Sequence, residues 1–77
     1  MVKRVNINLN TVDKVKNFIS VASDLDCDLD LSSGRRMIDG KSIMGIFSLN
    51  LKNPIVMNIN TKYNMDHILK EFEAFII

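Results

Sequence analysis

The chain opens on a strict alternation. Val5-Asn6-Ile7-Asn8-Leu9 places apolar and polar side chains in turn, the period of a strand with one wet face. Asn10 and Thr11 offer cap-type side chains where that period changes. From there Val12, Val15, Phe18, Ile19 and Ala22 fall on one face of a helix predicted to end near Ser23, with Asp13 suiting the positive end of its dipole. Alternation returns over Cys27 to Ser32, Ser33-Gly34 signals a turn, and Arg35 to Asp39 reads as the antiparallel return strand, broken by Gly40. Ser42 to Leu51 reads as a helix ended by Asn53-Pro54, because proline disfavours the helical conformation in the residue before it. Ile55, Met57 and Ile59 alternate with Val56, Asn58 and Asn60 as a further strand. After a polar loop, Asn64 offers an N-cap to a final helix carrying Ile68, Leu69, Phe72, Phe75 and Ile76 on one side, with Lys70, Glu71 and Glu73 turned away.

The order β-α-β-β-α-β-α predicts an α+β fold of two layers: a four-stranded antiparallel sheet with three helices on one face, the other face wet. The 77 residues call for a single domain, 1–77, with no repeat or linker. Such a chain hides about 60% of the surface it exposes when unfolded. Its stability is expected at roughly 4–11 kcal/mol.

The middle helix holds more apolar surface than this architecture needs. Ile43, Met44, Ile46, Phe47, Leu49 and Leu51 sweep an arc of roughly 220°, whereas a helix on a sheet needs only about 100° of apolar face. Ile46 and Leu49, three residues apart, can face the sheet together. Ile43, Met44 and Phe47 are left on the other flank as a candidate protein-docking patch, unless loops fold over them, and methionine suits a patch that adapts to its partner. Ser42, directly before them, is placed to cap the helix. That structural role is sufficient to explain the serine. A phosphate there would alter the charge beside the patch while leaving the fold intact.

Composition narrows the functions. Hydrophobic residues make up 47% of the chain, ample for a packed core. Ten basic against nine acidic residues, a net charge of +1, give no electrostatic case for nucleic acid or a membrane surface. Cys27 is the sole cysteine, so it forms no internal disulfide, and Met1 leads into no apolar run suited to a signal peptide or membrane span. The expectation is a cytoplasmic protein. Asp24, Asp26, Asp28 and Asp30 lack the glycine and terminal glutamate of a calcium loop, so no metal or other cofactor is expected. The lone histidine, His67, reads as a surface residue with Glu71 one turn on. Arg35-Arg36 is too short for a nucleic-acid patch.

Lys41-Ser42-Ile43-Met44-Gly45-Ile46-Phe47-Ser48-Leu49 resembles the regulatory-serine segment of HPr, the histidine-containing phosphocarrier of the bacterial sugar phosphotransferase system. Ala22-Ser23, the acidic strand Cys27 to Leu31, and Gly34 lie at compatible distances, and the element order matches as well. The resemblance implies an open-faced β-sandwich. It also implies that Ser42 matches the serine phosphorylated by HPr kinase/phosphorylase with ATP, and that Ile43, Met44 and Phe47 belong to a shared docking surface, with Lys41 beside them. The family accepts phosphate from enzyme I on a histidine within a glycine, hydrophobic, histidine, variable, arginine, proline run. Here the stretch is Leu9-Asn10-Thr11-Val12-Asp13-Lys14, with Thr11 nearest the histidine position. A phosphohistidine carrier needs an imidazole nitrogen and a cationic neighbour. Thr11 has only an unactivated hydroxyl, and no nucleophile–base pair marks an enzyme. The implied role is a non-enzymatic regulator resembling the catabolite-repression branch, acting through Ser42. Its partners would be HPr kinase/phosphorylase and a LacI-type regulator or phosphotransferase-system proteins. A carrier with a non-standard acceptor (Thr11 or His67) and a plain interaction module remain the alternatives.

Overall fold

A computed structural model describes residues 1–62 and 64–77. Its elements are β1 (Val2–Ile7), α1 (Val12–Asp24), β2 (Asp28–Ser33), β3 (Arg36–Asp39), α2 (Ile43–Phe47), β4 (Ile55–Asn60) and α3 (Met65–Glu71), in the order expected. The strands form one sheet, β1-β4-β2-β3, with every neighbouring pair antiparallel. β4 lies inside it because its apolar residues Ile55, Met57 and Ile59 are all buried and both its edges are paired.

The register sorts the two faces. Val5, Met57, Leu31 and Ile38 stand in one cross-strand row, flanked by Ile7 with Ile55 and by Ile59 with Leu29. This face joins a core cluster containing Val15, Phe18 and Ala22 from α1, Ile46 from α2 and Ile68 from α3, so all three helices cover the same side. On the opposite face runs the row Arg4, Asn58, Asp30 and Asp39, with Asp28 and Asn60 beside it. Asp28 and Asp30 are exposed, as their alternation with Leu29 and Leu31 requires.

Local chemistry accounts for the ends of the helices. Thr11 caps α1 by accepting from the Lys14 amide at 3.1 Å, and Asn64 caps α3 by accepting from the His67 amide at 3.3 Å. Gly34, with φ +61°, is the first of two loop residues between the paired Ser33 and Arg36. A primed hairpin turn with its positive φ at that position favours glycine there.

Three elements differ from the sequence reading. β1 spans Val2–Ile7 rather than Val5 to Leu9, because its partner β4 pairs it from Val2 opposite Asn60 to Ile7 opposite Ile55. Leu9 is still buried, in the connection to α1. α2 ends at Phe47 rather than running to Leu51. Ser48 closes it, its amide and hydroxyl both donating to the Gly45 carbonyl, and Asn50 then accepts from the Lys52 amide at 3.2 Å. Serine and asparagine side chains that bond nearby backbone compete with helix continuation in this way. α3 ends at Glu71, after which Phe72 and Phe75 pack on Phe18 with ring centroids 5.1 and 5.6 Å away. The chain end then lies along β1: Ile76 bridges Ile7, and the Ile77 amide donates to the Asn6 carbonyl at 3.0 Å.

Candidate functional site

The site is built on the turn between β3 and α2. The Gly40 amide donates to the Leu29 carbonyl at 2.7 Å, which fastens the start of the turn to β2. The Lys41 amide donates to Asp39 Oδ1 at 2.9 Å and the Ser42 amide to the Asp39 carbonyl at 3.1 Å, folding the turn back on its own first residue. An aspartate that accepts from the amide two residues on stabilises such a turn locally. Ser42 has extended backbone dihedrals (φ −99°, ψ 107°), and its Oγ accepts from the Gly45 amide at 3.1 Å. It is half-buried and caps α2, as its place before the apolar run indicates.

Gly45 is fitted closely into this arrangement. A Cβ added there would lie 3.2 Å from Ser42 Oγ and 3.3 Å from the Ile38 Cβ. The residue that donates to the serine therefore also leaves the room that brings α2 down on β3.

Beyond Ser42 the apolar residues of α2 and of the turn that follows it divide between two sides. Ile46 and Leu49 are buried. Ile43, Met44 and Phe47 are 39, 79 and 44% exposed. Three of the four phenylalanines, Phe18, Phe72 and Phe75, pack together in the core, whereas Phe47 is left at the surface beside Met44 and Ile43. Among the described residues, none buries the three.

Of the other candidates, Thr11 is exposed at the N-cap of α1, with Oγ1 engaged by the Lys14 amide. Its hydroxyl faces no base in the bonds it makes, and Asp13 follows in the first helical turn. His67 Nε2 lies 4.0 Å from Glu71 Oε1, with both side chains well exposed, an arrangement of little energetic weight. The Cys27 thiol is buried, and its pKa is raised from 9.0 chiefly by that burial. Lys41 works against the rise while Asp28 and Asp26 add to it. Among the described residues, no group of three or more histidine, cysteine or acidic side chains is placed to hold a metal ion, and no helix is long and apolar enough to cross a membrane. Arg35 and Arg36 are exposed at the hairpin.

Lys41 shows what sequence reasoning missed. Its ammonium reaches across sixteen residues of sequence to donate to the Leu25 carbonyl at 2.8 Å. Nothing local in the sequence marks that contact, because it depends on how α1 ends against the turn. The close approach of Gly40 to Leu29 was equally hidden, although the glycine itself stood out as a strand breaker.

No family model matches the chain, and no curated protein matches it. Solved structures do. A phosphocarrier protein HPr from Bacillus anthracis str. Ames superposes with a TM-score of 0.75 at 21% identity, covering 100% of this chain and 96% of that one. HPr-C-His from Thermoanaerobacter tengcongensis superposes with a TM-score of 0.71 at 19% identity, covering 96% of this chain and 88% of that one. The chain thus has the fold of the HPr phosphocarrier proteins, with their element order β-α-β-β-α-β-α.

Proposed function

We propose that this single-domain chain is an HPr-like regulatory protein of the phosphotransferase system, controlled by phosphorylation of Ser42 and acting by docking to protein partners. The observation that carries this reading is the adjacency of Ser42 to the exposed trio Ile43, Met44 and Phe47 on an HPr fold. An apolar patch on a small domain is a site for a partner, and a modification at its edge changes what that partner meets.

The chemistry is transfer of the γ-phosphoryl group of ATP to Ser42 Oγ by HPr kinase/phosphorylase. The hydroxyl proton passes to a base of the kinase and ADP leaves. The Gly45 amide, already aimed at Oγ, favours the added negative charge, as oriented backbone donors do for phosphate. The chain itself catalyses nothing in this step. The phosphorylated form then presents a dianionic group beside an apolar surface, a combination suited to a LacI-type regulator in the cytoplasm.

Histidyl transfer from enzyme I is set aside on chemical grounds. The position nearest the family's histidine is Thr11, whose hydroxyl serves α1 as its cap. A hydroxyl with no base to take its proton is a poor phosphoacceptor. The cap bond at Ser42 also favours a second reading, an interaction module in which the serine is only a cap.

Intact-mass measurement after two parallel incubations separates these. With HPr kinase and ATP we expect one phosphoryl group, absent from Ser42→Ala. With enzyme I and phosphoenolpyruvate we expect none. A gain from enzyme I would restore the carrier and sink the regulatory reading, and no gain in either arm would leave the interaction module.

A further inference from the structure

The bonds of the Ser42 turn have a division of labour. Gly40 fastens it to β2, and Asp39 holds the Lys41 and Ser42 amides within the turn. The Lys41 side chain makes the connection to α1, its Nζ donating to the Leu25 carbonyl at 2.8 Å. Leu25 is the C-cap of that helix, with its own amide donating to the Ala22 carbonyl. α1 has no basic residue in its last turn. Leu25 is extended (φ −100°, ψ 138°), so its carbonyl has left the helical hydrogen-bond ladder and needs a partner from elsewhere in the chain, which the Lys41 ammonium supplies.

We propose that Lys41 is a positioning residue, a strut that holds the Ser42 turn against the carboxyl end of α1, and not a contact for the partner. Its ammonium donates to the Leu25 carbonyl and its amide to Asp39 Oδ1, so the residue bonds at both ends even though it is exposed. Ser42 follows it directly, and Ser42 Oγ in turn orders the Gly45 amide. A phosphoacceptor hydroxyl reacts efficiently only when it is offered in line and close to the phosphorus, and a turn fixed in advance lowers the entropy lost in reaching that geometry. The consequence for phosphorylation rests on the reading of Ser42 proposed above; the strut itself does not.

Lys41→Met keeps the apolar stem and removes the donor, whereas Lys41→Arg restores one. In the unmodified protein, amide hydrogen exchange at Ser42, Gly45 and Ile46 is expected to quicken by at least about fivefold in Lys41→Met and to return toward wild type in Lys41→Arg, with β4 amides unmoved. With HPr kinase and ATP, Lys41→Met is expected to lower kcat for Ser42 while leaving KM near wild type. Unchanged exchange in Lys41→Met overturns the strut. Normal kcat with a raised KM overturns the positioning role and makes Lys41 a docking contact. If the wild-type chain is not phosphorylated at all, the Ser42 reading fails by itself, and hydrogen exchange alone decides the strut.

Discussion

Where the chain leaves β3, Gly40 packs directly on Leu29. A Cβ there would stand 2.8 Å from the Leu29 Cβ and 3.1 Å from the Leu29 carbonyl oxygen, and the amide of the same residue holds that carbonyl at 2.7 Å. The backbone cannot retreat from the clash without losing the bond. Gly40→Ala is therefore expected to cost about 1–3 kcal/mol, a lower urea midpoint with unchanged slope. Gly34 is different, since a Cβ there meets nothing and only its φ of +61° favours glycine. Cys27 gives a second prediction. Burial raises its pKa, so the native state keeps a proton that the unfolded chain loses. The contribution is intact below the ordinary value of 9.0 and fades as pH rises above it. Thermal denaturation at pH 8 and pH 10 should show a larger loss in wild type than in Cys27→Ala; equal losses would contradict it.

Among the elements, α2 concentrates the functional argument in five residues. Ile46 belongs to the core, whereas Phe47 has 44% of its surface in solvent. Phe47→Asp should leave the chain folded, at a cost of about 1–2 kcal/mol for the part of the ring that is covered. The same variant should abolish capture of the kinase or regulator in a pull-down. Loss of folding instead would mean that the ring is core. The two-sidedness of α2 was legible in the spacing of Ile43, Met44, Ile46, Phe47 and Leu49, because angular position on a helix follows from residue number alone. Its length was not, since Ser48 and Asn50 close turns of their own and the apolar residues Leu49 and Leu51 continue inward without helical backbone. The end of α3 misled similarly: Phe75 and Ile76 keep the apolar character of the helix but serve the aromatic cluster and the edge of β1.

On the scale of the whole molecule, the sheet and its three helices share one core, whereas the Ser42 turn and the patch lie on its outside. Ser42 is half-buried at the start of α2 and is not itself a member of the core cluster, so a phosphate on its hydroxyl adds charge at the edge of the fold. Phosphorylated protein should accordingly give a far-UV circular dichroism spectrum superimposable on that of the unmodified chain, and an unfolded spectrum would exclude a switch that acts on partners. What the sequence by itself determined is what depends on neighbours along the chain: the alternation of the strands, the caps at Thr11, Ser42 and Asn64, the turn at Gly34, and the faces of the helices. These follow from a fixed period per residue or from a side chain bonding an amide three residues away. The tertiary structure alone decided the order β1-β4-β2-β3, the bridge of Ile76 to Ile7, the contact of Gly40 with Leu29 and the reach of Lys41 to Leu25. Alternation says which face of a strand is buried but not which strand lies beside it, and contacts across many residues exist only once the layers have packed.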